Sequence, residues 1–347
     1  MFEYGKNMDS LKINVGPLDS STSVYSNVVK DLNKFNDMWR QGIHPKIIWD
    51  LRFINSGKVN IAAISFFLAL AHRVYSFTGL KQEIYIDWDQ RLFGFLTDIG
   101  FFEIADEYDL FEWPYEPGEG DSGKLNPNTQ LLSFDCDNDL PNLENPEEVS
   151  FWKKNKRERH RRSILDKCER LFYVKDINQA ELPLVISRTC SELVINSLLW
   201  GGASSFVGLQ RTSNYIFINV SDIGKGFRHS LNSKYSVNLN DDIHAIALGS
   251  VINKNDFGLK RAIDTVIDLG GSVNILSNGG EVLWCDDLWY SFKNNFNPRE
   301  INNIGHILPE PIKKSSSIDK ASGYVRSWSN SIRGTRIEFV IPVVNGV

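Results

Sequence analysis

The sequence predicts an α/β protein in two parts, with strand and helix alternating in the first half and an α+β arrangement in the second. Three observations predict it. Between residues 46 and 102, short strand-like apolar runs alternate with stretches of helical periodicity. The composition, 42% hydrophobic and 23% charged over 347 residues, is that of a globular chain long enough for two ordinary domains. Beyond residue 181, an apolar helix, a buried-strand run and glycine-punctuated turns follow one another up to a final strand.

Taken in order, residues 1–31 are polar and serine-rich, with a possible edge strand over 11–15 and a helix over 25–39. Residues 46–53 read as a strand, and 59–77 have helical periodicity ending at Gly79, a natural C-cap. A second strand over 82–88 and a second helix over 90–102, built on Phe93, Phe95, Leu96 and Ile99, complete the alternation. Such an order implies a largely parallel layer with crossover helices. From 113 to 148 proline, glycine and acids accumulate, which divides the chain into a first domain over 1–112, a linker or elaborated loop over 113–148, and a second domain over 149–347.

The second domain opens with the basic run at 153–162 inside a helix, read as the solvated face of that helix. A net charge of −5 argues against a dedicated nucleic-acid binder. Cys136, Cys168, Cys190 and Cys285 lack CxxC spacing and read as reduced thiols in a cytoplasmic protein. No signal peptide is evident, and the longest apolar stretch, 61–70, is too short to span a bilayer, so no membrane partner is expected.

The chemistry concentrates in residues 192–226. Glu192 and Asn196 are spaced i,i+4 among apolar neighbours, so both leave one face of one helix. A buried-strand run over 215–220 then ends in Asp222-Ile223-Gly224-Lys225-Gly226. Glycines at alternate positions after a strand-end carboxylate mark a backbone that turns sharply or passes close to something flat. Downstream come Asp256-Phe257-Gly258-Leu259, a helix over 259–269, a hairpin turning at Asn278-Gly279-Gly280, and Gly334-Thr335 before a last strand over 336–340. Residues 227–255 form the stretch between the two glycine boxes. Arg228, His229, Ser230, Lys234 and Lys254 there offer partners to phosphate, with a short helix over 243–251 and Gly226, Gly249 and Gly258 as candidate hinges. The insertion over 286–333 has no assigned role.

This ordered set resembles the GHKL ATP-binding fold of gyrase, histidine kinases and MutL, a two-layer α/β sandwich, over roughly residues 150–345. The resemblance implies ATP and Mg²⁺ as cofactors. It implies that Asn196 holds the metal bridging the phosphates, that Asp222 accepts from the adenine amino group, and that Glu192 is the catalytic base. Gly224, Lys225, Gly226, Phe257, Gly258, Leu259 and Thr335 complete the implied nucleotide-binding set. Mg²⁺ takes hard oxygen ligands and keeps several waters, so one amide oxygen plus substrate phosphates is a sufficient site. Where many members carry Lys or His after the Asn helix, this chain has Trp200-Gly201-Gly202, so nucleotide binding is a safer expectation than turnover. His160 is followed by Arg161 and Arg162 rather than an acid, which argues against an autophosphorylating sensor kinase.

The first half is similar in pattern to the STAS-type domains of anti-sigma-factor antagonists. There a serine in a turn before a helix can be the target of a GHKL kinase, and the corresponding turn here is Asn55-Ser56-Gly57. On backbone grounds alone Ser56 reads as a helix N-cap or turn residue. Two functions stay open: a slow Mg²⁺-dependent ATPase or protein kinase of the GHKL type, and a non-catalytic nucleotide-gated interaction module in signalling or phage defence. Both imply ATP or ADP as ligand and a protein partner, with a homodimer left open.

Overall fold

A computed structural model of the chain describes residues 10–343, apart from 53–58, 87–89, 114–127, 137–139, 172–181, 236, 253–258, 298–306, 310–311 and 315–323. Its first part is a parallel sheet of four strands. These are β1 (Ser10–Asn14), β2 (Lys46–Asp50), β3 (Gln82–Tyr85) and β4 (Phe111–Glu112), in that spatial order. Parallel neighbours cannot be joined by tight turns, and the helices supply the crossovers. They are α1 (Ser21–Arg40), α2 (Ile61–Thr78), and the pair α3 (Gln90–Asp98) and α4 (Phe101–Glu107). Ser20 caps α1 by accepting from the Ser23 amide, Asn60 caps α2 by accepting from Ala62, and Gly79 ends α2 in the left-handed conformation. The helix expected over 90–102 is broken at Gly100, and α4 starts after it.

The second part is an antiparallel sheet of seven strands with β10 added in parallel at one edge. Its strands are β5 (Thr129–Phe134), β6 (Ser205–Arg211), β7 (Tyr215–Asp222), β8 (Ser272–Ser277), β9 (Gly280–Trp284), β10 (Ile312–Lys314), β11 (Val325–Trp328) and β12 (Thr335–Pro342). The spatial order is β10-β11-β9-β8-β12-β7-β6-β5, so β12, last in the chain, pairs at the centre between β8 and β7. One face carries α5 (Pro146–Leu171), α6 (Leu182–Asn196), α8 (Asp242–Val251) and α9 (Leu259–Asp268). Helices α7 (Gly226–Tyr235) and α10 (Asp286–Asn295) join that layer, α7 against α8 and α10 against α9. The stretch 113–148 thus contains β5 and the start of α5, and the insertion over 286–333 contains α10, β10 and β11.

The other face of this sheet meets the first part directly. Along β7, Ile216, Ile218 and Val220 enter the core shared with α6, α8 and α9. The intervening Phe217 and Asn219 face α2, where the Ser65 hydroxyl bonds to the Asn219 side chain, as the two-residue period of a strand dictates. Phe67 of α2 meets Trp49 and Phe111 of the parallel sheet on the opposite side. Covered on both sides, α2 is apolar nearly all round rather than along one stripe.

A buried polar seam fastens α1 to the same face. Glu281 is fully buried and accepts from Thr22 (3.0 Å), Asn274 (2.9 Å), Trp328 (3.1 Å) and Arg336 (3.1 Å), with Arg326 at 3.2 Å. Two guanidinium groups beside it hold the Glu281 carboxyl below the usual range despite burial. Ser21 donates to the buried Glu338 at 2.9 Å.

Candidate functional site

Helix α6 sets out the site. Glu192 and Asn196, one turn apart, both line a cavity of about 240 Å³. Beyond Asn196 the helix widens into a π turn, Ser197–Gly201, closed by Gly202 in the left-handed conformation. Single π turns recur at functional sites because they redirect side chains out of the helical register. Here the turn brings Ser197, Trp200 and Gly201 onto the cavity wall.

Asp222 forms another part of the wall. It ends β7, held between Ser205 of β6 and Thr335 of β12 in the sheet register. Its carboxylate accepts from the Ser197 hydroxyl at 2.7 Å and from the Gly224 amide at 2.8 Å. Burial pushes its pKa up to about 6, while the Ser197, Gly224 and Thr335 donors pull it back. Two glycines make this geometry fit. A Cβ on Gly224 would stand 2.8 Å from the Gly201 Cα and carbonyl oxygen, so the strand-end loop and the π turn touch backbone to backbone. Gly334, at φ +133°, lets β12 enter beside Asp222; a Cβ there would lie 2.3 Å from the Asp222 carbonyl oxygen.

Of the sequence-derived site residues, Glu192, Asn196, Asp222, Gly226, Leu259 and Thr335 all line this cavity. Gly224 stands behind Asp222 as the amide donor. Lys225 is exposed and does not belong to the lining. Phe257 and Gly258 lie outside the described residues, as do the Ser56 turn and Lys254. In the stretch 227–255, Ser230 lines the cavity and donates to the Gly226 carbonyl. Arg228 is committed to Asp242 at 3.2 Å and to the Asn240 carbonyl at 3.0 Å. The expected short helix is α8, and Gly249 inside it receives the ring of Phe227.

Among the wall residues that sequence reasoning missed are its two cations, Lys153 and Arg157 of α5. Arg157 donates to Glu192 Oε2 at 3.1 Å and its Nε pairs with Oε1. Lys153 places its ammonium 5.3 Å from the centre of the Trp200 ring. The Trp200 indole Nε1 is buried without an acceptor among the described residues. His160, further along α5, is buried edge-on against Phe134 and is not a cavity residue.

Chemically the cavity combines a buried carboxylate, apolar walls (Leu193, Val220, Phe227, Ile337), two cations, an acid and an amide. Such a lining offers an acceptor to a hydrogen-bond donor, apolar surface to a flat group and positive charge to an anion. Among the described residues no cluster of three or more His, Cys, Asp or Glu side chains could hold a metal by itself. No protein-family description, curated protein or solved structure matches the chain.

Proposed function

We propose that this cavity binds ATP with Mg²⁺ in the manner of the GHKL fold, with a STAS-like layer packed against it as the regulatory half. The observation that carries the reading is the meeting, in one cavity, of the buried Asp222 carboxylate with Glu192 and Asn196 of a single helix. Asp222 accepts the exocyclic amine of adenine, and the apolar walls take the faces of the base. Asn196 is exposed on the cavity wall and provides one hard oxygen. That fits a Mg²⁺ held mainly by phosphates and water, which would neutralise charge between the phosphates. The donor set does not fit a metal bound by protein side chains alone.

Inosine triphosphate, which carries an oxygen where ATP carries the amine, tests the base assignment. Binding of ATP at least about tenfold more tightly than inosine triphosphate is expected, because a carboxylate facing an oxygen acceptor is left unpaired. Equal affinity refutes it.

A second reading, a nucleotide-gated interaction module without turnover, is favoured by the ion pair of Glu192 with Arg157, which donates to Oε2. A base so occupied has to shed the guanidinium before it can accept a proton from water or a hydroxyl. Phosphate release measured for the parent beside Glu192→Ala separates the two. Loss of release in the variant identifies an ATPase, and equal background with intact binding identifies the module.

A further inference from the structure

We propose that Lys153 and Arg157 of α5 form the polyphosphate-reading edge of the cavity. In this view Arg157 exchanges the Glu192 carboxylate for the terminal phosphate of a bound nucleoside triphosphate. The inference rests on the nucleotide reading above and adds the residues that distinguish triphosphate from diphosphate. Lys153 and Arg157 are one helical turn apart, so they share a face of α5, and both line the cavity with Glu192 and Asn196. Among the described residues they are the cations of its lining. Arg228 is turned to Asp242, and Lys225 is exposed outside the lining.

The geometry of the Arg157 pair supports an exchange. The Arg157 Nη2 donates to Glu192 Oε2 and its Nε lies in ion-pair contact with Oε1, so one edge of the guanidinium faces both oxygens, as it can face two oxygens of a phosphate. The pair is partly open to water, with side-chain exposures of 38% for Arg157 and 22% for Glu192, and ion pairs in contact with solvent are weak enough to be traded. Lys153, placed against Trp200, supplies a second positive charge on the same edge. A third phosphate draws Arg157 away, and Glu192 is then left beside it with its oxygens released. The third phosphate is thereby sensed by the residue that restrains the acid.

Equilibrium titrations with adenosine, ADP, ATP and inorganic tripolyphosphate, in excess Mg²⁺, test this on the parent, Lys153→Ala, Arg157→Ala, Arg157→Lys and Glu192→Gln. Adenosine is expected to bind all five alike. Arg157→Ala is expected to lose about ten- to a hundredfold of the preference for ATP over ADP, the worth of one charge-assisted interaction, with Arg157→Lys in between. Glu192→Gln, which unties Arg157, is expected to raise that preference several-fold. An unchanged ATP-to-ADP ratio in both Arg157→Ala and Glu192→Gln overturns the proposal, as does an equal loss for adenosine and ATP, which marks a structural brace. If the parent binds no adenosine, the adenine reading falls separately. Tripolyphosphate then decides: binding lost in Arg157→Ala supports the phosphate edge, and binding retained there or absent from the parent overturns it.

Discussion

The Ser197 hydroxyl donates to the Asp222 carboxylate over 2.7 Å, joining the π turn after α6 to the end of β7. The same hydroxyl lies 3.0 Å from the Leu193 carbonyl, and it has one proton to give. When Asp222 is ionised, Ser197 serves it; when Asp222 is protonated, the carboxyl can donate to Ser197, and the hydroxyl is released to Leu193. The protonation state of the acid is therefore linked to the packing of the helix that carries Glu192 and Asn196.

That link predicts a pH dependence for binding. The ionised form accepts from an amine, and with a pKa of about 6 Asp222 is mostly ionised at pH 7.5 and mostly protonated at pH 5. ATP affinity is expected to fall by up to tenfold per pH unit below about 6. Isothermal titration with adenosine across pH 5–8, free of the titration of the phosphates, checks it, and the dependence should flatten in Asp222→Asn.

Stability should move the other way. A carboxyl raised from 3.8 to about 6 in the folded state favours folding fully below pH 3.8, and that contribution is lost as pH rises through about 6. Asp222→Asn is therefore expected to stabilise the ligand-free protein at pH 8, by up to about 3 kcal/mol, while weakening adenine binding. Urea denaturation of both proteins at pH 5 and pH 8 measures the difference, which should shrink at the lower pH.

Gly224→Ala should separate the π turn from the strand-end loop. Its new methyl group meets backbone at 2.8 Å on the Gly201 side, where no flexible side chain can give way. A destabilisation of about 1–3 kcal/mol is expected, together with loss of nucleotide binding, because the Gly224 amide leaves Asp222. Thermal melts alongside titration report both.

The buried seam makes a prediction independent of the cavity. Glu281→Ala removes the acceptor of Thr22, Asn274 and Trp328 and leaves Arg336 buried without its anion. A loss of about 3–5 kcal/mol is expected, with α1 loosened from the sheet. Chemical denaturation gives the magnitude, and hydrogen exchange of the α1 amides shows where the loss falls.

Much of the fold was legible because its signals are local. Strand and helix alternation between residues 46 and 102, the Gly79 cap and the hairpin at Asn278 all follow from neighbours in sequence. So does the shared face of Glu192 and Asn196, and the strand-end position of Asp222. What stayed hidden depends on packing. β5 is a six-residue edge strand inside a proline- and glycine-rich stretch, and its partner β6 lies about 70 residues further on. Lys153 and Arg157 belong to a basic run that reads as a solvated face until α5 is known to lie on α6. Lys225 stands outside the lining for a related reason. Its flanking glycines are required by contacts with Gly201 and with Ser277 and Asn278, which place the loop without turning the lysine into the cavity.

Metal dependence gives another expected outcome. Asn196→Ala removes the amide oxygen assigned to Mg²⁺, so the stimulation of ATP binding by Mg²⁺ should disappear while metal-free binding is retained. Paired titrations with Mg²⁺ and with a chelator distinguish this from a general loss of affinity.

Recognition of the adenine amine by the buried Asp222 carboxylate, as proposed above, is read from the ratio of ATP to inosine triphosphate affinity, measured side by side for the parent and Asp222→Asn at pH 7.5. A preference for ATP of tenfold or more is expected in the parent, and its collapse in the variant, whose amide can donate to the inosine oxygen. The same ratio in both proteins would contradict it.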